Sequence, residues 1–426
     1  METTSKTVRQ LILYQIFTRN YPGGTFRAVE NDLDRIRALG VDWIYLLPIQ
    51  PSGVEGRKGS VGSPYAIRDY RVTDPAQGTQ AEFESLCRAA HEKGLKVMID
   101  VVYNHTSPDS VLAETHPEWF YRVNGKPAGH NPDWSDVADL DYGNPGLWEY
   151  QIETLCFWAR FVDGFRCDVA PLIPLKFWLE ARAAVEKVRP GCLWLAESVE
   201  GHFIRLNRRN GLTALSDSEL YRAFDICYDY DIYYTQLACM RGACAPAVYA
   251  AAVDAQEGIY PENYSKLRCL ENHDRLRAAG LLGTGAALRN WTAWCYFCKG
   301  TTMLYAGQEY GVRHLPSLFD PDPVDTDTGV ALTAFMQRLA VMKKHPLFAD
   351  SAFSVRAAGP KGDMLLARHE NRNGQCAVGL FSLSGTPQAV EPGLCDGFYR
   401  DEISGRDFEV RHGLLLTDGE PLVFFA

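Results

Sequence analysis

Residues 164–198 read GFRCDVAPLIPLKFWLEARAAVEKVRPGCLWLAES, and this stretch contains one complete strand–helix–strand unit. An apolar run ends at Asp168, a helical pattern covers residues 175–188, and a second apolar run covers residues 192–198. A helix between two β-rich runs is typical of a βα unit in a parallel sheet. The stretch therefore predicts an α/β fold with parallel strands.

The same alternation extends along the chain in both directions. Further helical patterns cover residues 33–39, 82–93, 148–161 and 330–344. Eight β-rich runs predict a (β/α)₈ barrel, a fold in which catalytic groups stand at the carboxyl ends of the strands. The predicted strands are 12–17, 42–48, 96–103, 164–168, 192–198, 223–228, 266–274 and 301–307.

Two segments depart from this alternation. Residues 104–144 combine four prolines with many Asp, Asn and Gly residues, which predicts a long, functional loop inserted after the third strand. After residue 345, short alternating runs separated by Gly, Asn and Pro predict a small antiparallel β domain. We therefore expect a catalytic barrel over residues 1–345, the insertion at 104–144, and a C-terminal β-sandwich over 346–426.

The composition limits the kinds of partner. The chain has 426 residues, of which 46% are hydrophobic and 23% charged, and its formal net charge is −10. An acidic protein repels nucleic-acid backbones, so we expect no nucleic acid and a neutral or cationic partner, although the charge also serves solubility. No apolar run approaches the roughly 20 residues of a membrane span, and the polar segment 1–10 lacks the apolar core of a secretory signal.

Twelve cysteines are scattered through the chain, many of them inside apolar segments. Cys295 and Cys298 form a Cys-x-x-Cys string, but no second pair follows it at zinc spacing. A metal or redox use of this pair is the alternative to buried free thiols. Because reduced cysteines are typical of the cytoplasm, we predict free thiols and a cytoplasmic protein.

Four predicted strands end in residues of the kind that perform acid–base chemistry. Polar side chains close these runs at His105, Asp168, Glu197 and Asp274. A charge at the end of a buried strand is costly unless it is paired or used, and a single one is often only a turn or a helix cap. Four at one mouth of a barrel indicate proton chemistry or the stabilisation of a cationic transition state.

These segments resemble the signature motifs of the α-amylase superfamily, the glycoside hydrolases of family 13. The resemblance covers nearly the whole barrel, and the ordered set is far more specific than any one short motif. The segments in the family's order and spacing are 100–105, 164–168, Glu197 and 272–274, and weaker signatures lie at 65–70 and 300–309.

The resemblance implies a retaining mechanism with three catalytic carboxylates. Asp168 would be the nucleophile that attacks the anomeric carbon, and Glu197 would be the general acid and then the general base. Asp274 would bind sugar hydroxyls and steady the transition state. This chemistry needs one carboxylate ionised for attack and another protonated to release the leaving group.

The resemblance also implies four supporting side chains. Arg166 would keep Asp168 ionised by holding a positive charge nearby. His105 and His273 would donate hydrogen bonds to the sugar in subsite −1, and Tyr65 would stack on that sugar. Three of these have structural alternatives: a strand cap for His105, a loop aromatic for Tyr65 and a buried ion pair for Arg166.

Three departures from the family pattern bear on substrate and metal. Residues 169–173 are apolar where amylases commonly carry a Lys-His pair, which predicts few hydrogen bonds beyond the cleavage point and a preference for short maltooligosaccharides, unless the insertion supplies other donors. Gly62 stands where many exo-acting α-glucosidases carry Asp, so the side chain that clamps the chain end in those enzymes is not evident. Asn104 matches one calcium ligand but the pattern is otherwise incomplete, so we expect no required cofactor and no metal residues; a structural calcium is the alternative.

Three functions compete. The main prediction is hydrolysis of α-1,4-glucosidic bonds in maltooligosaccharides or starch fragments, with an α-glucan oligosaccharide as the partner. A 4-α-glucanotransferase or another transglycosylase would use the same carboxylates. A non-catalytic sugar-binding relative is disfavoured because all three carboxylates are kept. Four aromatic residues of the insertion either stack on sugars or form its own small core: Trp119, Phe120, Tyr121 and Trp134.

Overall fold

The computed structural model describes residues 4–426, so the first three residues of the predicted barrel segment and of the polar segment 1–10 lie outside it. Eight parallel strands close into a barrel in which each strand pairs with its sequence neighbours and the eighth pairs with the first. The predicted (β/α)₈ barrel is therefore confirmed. Its strands are β1 Ile12–Ile16, β2 Trp43–Leu46, β3 Lys96–Val101, β4 Gly164–Cys167, β5 Leu193–Ala196, β6 Ile226–Tyr228, β7 Lys266–Arg268 and β8 Thr301–Tyr305.

Seven of the eight strands end earlier than the sequence predicts, and β6 ends at the predicted residue. The largest difference is at β7, which ends at Arg268, whereas the apolar pattern predicts a strand as far as Asp274. The Asn272 side chain accepts a hydrogen bond from the Asp274 N–H at 2.9 Å, which holds a tight turn instead of a strand. The polar residues at the strand ends therefore lie on loops at the mouth of the barrel.

The helices between the strands begin and end at recognisable signals. Thr79 and Glu82 form a capping box at the start of α3, and Pro145 occupies the first turn of α5, so that this helix begins before the predicted residue 148. The helices are α1 Phe26–Asn31, α2 Leu33–Ala38, α3 Gln80–Glu92, α4 Val111–Thr115, α5 Pro145–Trp158, α6 Leu175–Val188, α7 Gly201–Arg209, α8 Asp217–Leu220, α9 Tyr233–Met240, α10 Pro246–Ile259, α11 Ala278–Leu282, α12 Ala286–Phe297 and α13 Thr333–Lys343.

The insertion is an irregular loop with little regular structure. Two pairs of two-residue strands, His105–Thr106 with Ala138–Asp139 and Arg122–Val123 with Lys126–Pro127, hold it together. Trp119 and Phe120 are buried and belong to the main hydrophobic core of the protein. These two aromatic residues therefore pack inside the protein and are not available to stack on sugars.

The C-terminal region consists of two four-stranded antiparallel sheets, as the sequence predicts. Met364 and Phe424 of one sheet share an apolar core with Val410 and Leu415 of the other. The first sheet packs against α10 and α12 of the barrel. The first sheet contains β9 Ala352–Ala358, β10 Met364–Glu370, β11 Cys376–Ser382 and β16 Leu422–Phe425; the second contains β12 Ala389–Val390, β13 Gly397–Arg400, β14 Asp407–Arg411 and β15 Leu414–Leu416.

All twelve cysteines lie within the described residues and none is paired, which confirms the prediction of free thiols. Cys295 and Cys298 are both buried. Between residues 4 and 426, no helix has the length and apolar character needed to cross a membrane.

Candidate active site

The site is assembled by three adjacent strands of the barrel. Asp100 on β3 lies directly opposite Arg166 on β4 in the parallel register. Asp168 and Glu197 follow the last residues of β4 and β5. Side chains two residues apart on a strand point to the same side, so Arg166 and Asp168 face the same interior.

A single guanidinium holds the carboxylates together. Arg166 is fully buried, and its Nη1 donates to Asp100 Oδ1 at 2.8 Å and to Asp168 Oδ1 at 2.8 Å. Its Nη2 lies 2.8 Å from Glu197 Oε1. One positive charge therefore faces three buried carboxyl groups.

Burial, mutual repulsion and the charge of Arg166 together shift the pKa values of Asp168 and Glu197. Burial raises the pKa of Asp168, repulsion from Glu197 raises it further, and Arg166 only partly opposes these effects. Burial also raises the pKa of Glu197, again against the effect of Arg166. The predicted role of Arg166 in keeping Asp168 ionised stays a prediction: its charge lowers the pKa of Asp168, but Asp100 and Glu197 share that charge.

Asp274 has the opposite electrostatic environment. Its Oδ2 lies 3.0 Å from His273 Nε2. Although burial acts to raise the pKa of Asp274, the charge and hydrogen bond of His273 lower it to about 2. Asp274 is therefore an anion at neutral pH.

The remaining predicted site residues surround these carboxylates. The Tyr65 hydroxyl donates to Asp100 Oδ2 at 3.1 Å and lies 2.5 Å from His273 Nε2. His105 Nε2 is 3.8 Å from Asp168 Oδ2, and burial lowers the pKa of His105 to about 4, so that its ring is neutral. The structure brings all seven predicted residues together.

Some residues of the site carry little or no sequence signal. Asp100 lies inside an otherwise apolar strand, and this mid-strand charge is the signal that could have identified it. Tyr230 accepts a hydrogen bond from Asn272 at 2.8 Å, and the Arg275 guanidinium lies 4.4 Å from the Tyr230 ring centre. The sequence gives no reason to select either Tyr230 or Arg275.

The residue after Asp168 has an unusual backbone conformation. Val169 adopts φ 34° and ψ 44°, a left-handed conformation that is an outlier for a β-branched residue. In this conformation its N–H donates to Glu197 Oε2 at 2.8 Å. The turn therefore ties the end of β4 to the carboxyl group that follows β5, and strain of this kind is common at functional sites.

The carboxylates open into a cavity of about 340 Å³, a volume within the range of small-molecule sites. Asp168, Glu197 and Asp274 lie on its wall. Other side chains of the wall are Tyr65, His105, Trp134, Tyr230, Arg275 and Phe319.

Asn104 and Asp139 each lie beside a histidine. The Asn104 amide nitrogen lies 3.2 Å from His105 Nδ1, and Asp139 near the same loop is paired with His130 at 2.7 Å. In residues 4–426 there is no group of three or more His, Cys, Asp or Glu side chains that could hold a metal ion.

A closed parallel barrel with three carboxylates at its mouth defines the class of (β/α)₈-barrel glycosidases and their relatives. The family model described as "Alpha amylase, catalytic domain" matches residues 2–345, and the one described as "Bacterial Alpha amylase C-terminal domain" matches residues 355–424. The chain belongs to the α-amylase family, glycoside hydrolase family 13.

Solved structures resemble the whole chain. An α-amylase from Lactobacillus plantarum is 43% identical, with a TM-score of 0.96 over 99% of this chain and 100% of that one. A noncanonic maltogenic α-amylase, AmyB, from Thermotoga neapolitana is 32% identical, with a TM-score of 0.86 over 98% of each chain.

Curated relatives are longer than this chain. The α-amylase MalA of Haloarcula japonica is 27% identical over 92% of this chain, which spans 58% of that protein's length. The α-1,4-glucan:maltose-1-phosphate maltosyltransferase of Bifidobacterium longum is 34% identical over 41% of this chain and 26% of its own length.

Proposed function

We propose that the chain is a retaining enzyme that cleaves α-1,4-glucosidic bonds in maltooligosaccharides or starch fragments. The observation that carries this proposal is the pair Asp168 and Glu197, which share one buried guanidinium at the wall of the cavity. Membership of the α-amylase family supports the choice of α-glucans. We assign the nucleophile to Asp168, the general acid and base to Glu197, and transition-state stabilisation to Asp274.

In the first step, Asp168 in its ionised form attacks the anomeric carbon of the bound sugar. The bond from that carbon to the glycosidic oxygen breaks, and Glu197 delivers its proton to the departing oxygen. Asp274, with its low pKa, supplies a fixed negative charge for the positive charge that develops on the sugar. The neutral His105 and the Tyr65–His273 pair orient the ring.

In the second step, Glu197 removes a proton from an incoming hydroxyl group, whose oxygen then displaces Asp168 from the anomeric carbon. If the hydroxyl group belongs to water, the reaction is hydrolysis. If it belongs to a sugar, the product is a longer glucan. The maltosyltransferase relative supports transfer as a second candidate, with the same residues in the same roles.

The proposed function is accompanied by proposed domain limits and a proposed cellular compartment. We propose a catalytic barrel over residues 1–345 with the insertion at 104–144, and a C-terminal domain over 346–426; the two family models support these limits. We also propose a cytoplasmic protein, because all twelve cysteines are unpaired.

The test is a product profile on pure maltoheptaose, with sucrose and trehalose as control sugars. We expect reducing sugar to be released from maltoheptaose, and proton NMR should detect the α-anomer first, since a retaining pair of carboxyl groups stands about 5–5.5 Å apart. Products longer than maltoheptaose would reveal transfer. The appearance of β-anomer first, or the absence of any cleavage of maltoheptaose, would contradict the proposal.

A further inference from the structure

The loops that follow β8, β1, β2 and β3 are tied together at the mouth of the barrel, and these four strands are neighbours in the closed sheet. Arg19, in the turn after β1, donates from Nη1 to the Gly62 carbonyl at 2.8 Å and to the Leu318 carbonyl at 3.3 Å. The turn after β1 therefore holds the loops after β2 and β8 side by side. We call this group of segments the β1 wall; it comprises Arg19 and residues 57–62, 133–136 and 318–320.

The loops after β2 and β8 are in direct backbone contact. The Val61 N–H donates to the Phe319 carbonyl at 3.0 Å, and the Ser60 N–H donates to Asp320 Oδ1 at 2.9 Å. Gly59 has φ 62°, and a Cβ atom at this position would lie 2.6 Å from the Phe319 carbonyl oxygen. Because this approach leaves no room for a side chain, the contact between the two loops requires glycine.

Lys58 connects the loop after β2 with the insertion that follows β3. Its Nζ donates to the Asp133 carbonyl at 2.9 Å, lies 2.9 Å from Asp136 Oδ1 and stands 5.9 Å from the centre of the Phe319 ring. Asp136 is buried, so its charge needs this partner. Because Lys58, Asp136 and Phe319 all line the catalytic cavity, the β1 wall forms one side of that cavity.

The β1 wall lies across the barrel mouth from the general acid. In the closed sheet of eight strands, β5 is four strands away from β1 in either direction, and Glu197 follows β5. The acid protonates the departing oxygen, so the leaving group lies on the side of the acid. The glycosyl part of the substrate, which becomes bonded to Asp168, therefore extends towards the β1 wall.

Solvent reaches the catalytic cavity from the β7 side. The side chain of Asp274, in the turn after β7, is 38% exposed, whereas those of Asp168 and Glu197 are only 8% and 9% exposed. The open side of the cavity and the β1 wall therefore lie on different parts of the mouth. A glucan chain that enters from the open side meets the wall with its glycosyl part.

We propose that the β1 wall closes the glycosyl side of the site, so that the enzyme binds the non-reducing end of an α-glucan and releases a short product of fixed length from it. Lys58 determines this specificity. An ammonium group has three N–H donors, and since two of them face Asp133 and Asp136, one is left for a hydroxyl group of the terminal sugar. The inference rests on the proposed function and specifies that the substrate is a chain end.

The experiment compares maltoheptaose with maltoheptaose whose non-reducing end carries a 4,6-O-ethylidene group. Both substrates have the same internal bonds, but only the first has a free chain end. For the wild-type enzyme we expect kcat/KM of the blocked substrate to be roughly a hundredfold lower, because the added group is too large for the closed side and removes two hydroxyl donors. Unmodified maltoheptaose should give a single product length at the earliest times.

Variants at Lys58 test the wall itself. Lys58→Ala opens the wall and removes a charged hydrogen-bond donor, so kcat/KM for unmodified maltoheptaose should fall roughly tenfold. The same variant should cleave the blocked substrate faster than wild type does and should release products of several lengths. Lys58→Arg keeps a charged donor and should keep most of the discrimination. Lys126→Ala, at an exposed lysine elsewhere on the insertion, is the matched control and should change neither substrate.

A double variant separates the wall from the stability of the insertion. Lys58→Ala leaves the buried Asp136 without its partner, whereas Lys58→Ala combined with Asp136→Ala removes both charges. The double variant should therefore discriminate between the two substrates as weakly as Lys58→Ala and melt at a higher temperature.

The outcomes distinguish this inference from the proposed function. If the wild-type enzyme cleaves neither form of maltoheptaose, the proposed function fails. If it cleaves both forms at similar rates, the proposed function stands and the closed glycosyl side is overturned; this comparison needs no variant. If the wild-type enzyme rejects the blocked form and the folded Lys58 variants reject it equally, the assignment of the specificity to Lys58 is overturned.

Discussion

Arg166 is the residue on which the electrostatics of the site depend. It is fully buried, and it faces Asp100, Asp168 and Glu197 at once. Removing any one carboxylate therefore redistributes the positive charge over the other two. Substitutions of the carboxylates should consequently change both the rate and the stability of the protein, in opposite directions.

Asp168→Asn should remove nearly all turnover and leave the protein folded. Loss of a covalent nucleophile costs roughly 10⁴-fold or more in rate. The pKa of Asp168 is raised in the folded state, so the folded protein loses stability as pH rises above the ordinary aspartate pKa of about 3.9. The neutral Asn should therefore raise the melting temperature at pH 7, and the difference from wild type should shrink towards pH 4.

Initial rates on maltoheptaose and thermal melts at several pH values check this prediction. Asp407→Asn, at an exposed position of β14, is the matched control and should change neither quantity. An Asp168→Asn variant that kept a tenth of the wild-type rate would show that the nucleophile is elsewhere.

The pH dependence of kcat/KM should differ between two kinds of substrate. Burial raises the pKa of Glu197, so with maltooligosaccharides the rate should fall as pH rises through that raised value and the acid loses its proton. An α-glycosyl fluoride needs no proton for its leaving group, so its kcat/KM should lack this alkaline limb. Both substrates should lose rate at low pH, where Asp168 becomes protonated. An identical alkaline limb for both would exclude Glu197 as the acid.

For single residues, the sequence predicts which side chains belong to the site better than it predicts their backbone conformation. Five of the seven residues selected from the motifs line one cavity, and Arg166 and His273 contact these residues from behind, because residues at the ends of parallel barrel strands converge on one mouth. The left-handed turn at Val169 was not predictable, since nothing in a Cys-Asp-Val-Ala string indicates positive φ. The shared charge of Arg166 also depends on the register of β3 against β4, which the sequence does not specify.

At the scale of single elements, α3 offers a test that is independent of the chemistry. The Thr79 side chain accepts a hydrogen bond from the Glu82 N–H, and Glu82 Oε2 accepts one from the Thr79 N–H at 2.9 Å. Thr79→Ala should lower the free energy of unfolding by about 1 kcal/mol, whereas Thr79→Ser keeps the cap and should cost much less. Urea denaturation measures the difference. If the folded Thr79→Ala variant lost kcat/KM, the segment before α3 would also contribute to the active site.

Periodicity predicts the existence of the elements and fails at their ends. The helix α6 matches its predicted range, whereas β7 is six residues shorter than the predicted run 266–274. An apolar pattern cannot predict that the Asn272 side chain accepts a hydrogen bond from the Asp274 N–H and so forms a turn in place of the strand. The C-terminal sheets were predictable as a class, because burial largely alternates along β9 and β15, whereas β11 is buried along its whole length.

At the scale of the whole molecule, the barrel and the C-terminal sheets share an interface that contains a buried lysine and a buried histidine. Lys343 of α13 is fully buried, and its Nζ donates to the Cys298 carbonyl at 3.0 Å. His369 of β10 donates to the Phe297 carbonyl at 2.8 Å. Burial lowers the pKa of Lys343 to about 7 and that of His369 to about 3.

Lys343→Met should stabilise the protein at pH 7. The folded-state pKa is depressed, so the unfolded chain binds a proton more readily, and wild-type stability falls as pH falls from about 10.5 to about 7. Below about pH 7, wild type has lost all of the stability that burial of the charged Lys343 amine costs. The Met variant avoids it, so its free energy of unfolding should exceed that of wild type by a few kcal/mol and vary less across the window. Calorimetry at pH 7 and pH 10 tests this, with the exposed Lys361→Met as control; a lower melting temperature for Lys343→Met at pH 7 would refute it.

The central claim is that Asp168 forms a covalent bond to the anomeric carbon of an α-glucosyl unit. The most direct measurement is to incubate the enzyme with a 5-fluoro-α-maltosyl fluoride, whose second fluorine slows the release step, and to map the modified peptide by mass spectrometry. The expected result is a mass increase of one glycosyl group on the peptide that contains Asp168, and none in the Asp168→Asn variant. A label on another residue, or turnover of maltoheptaose to the β-anomer with no label at all, would contradict it.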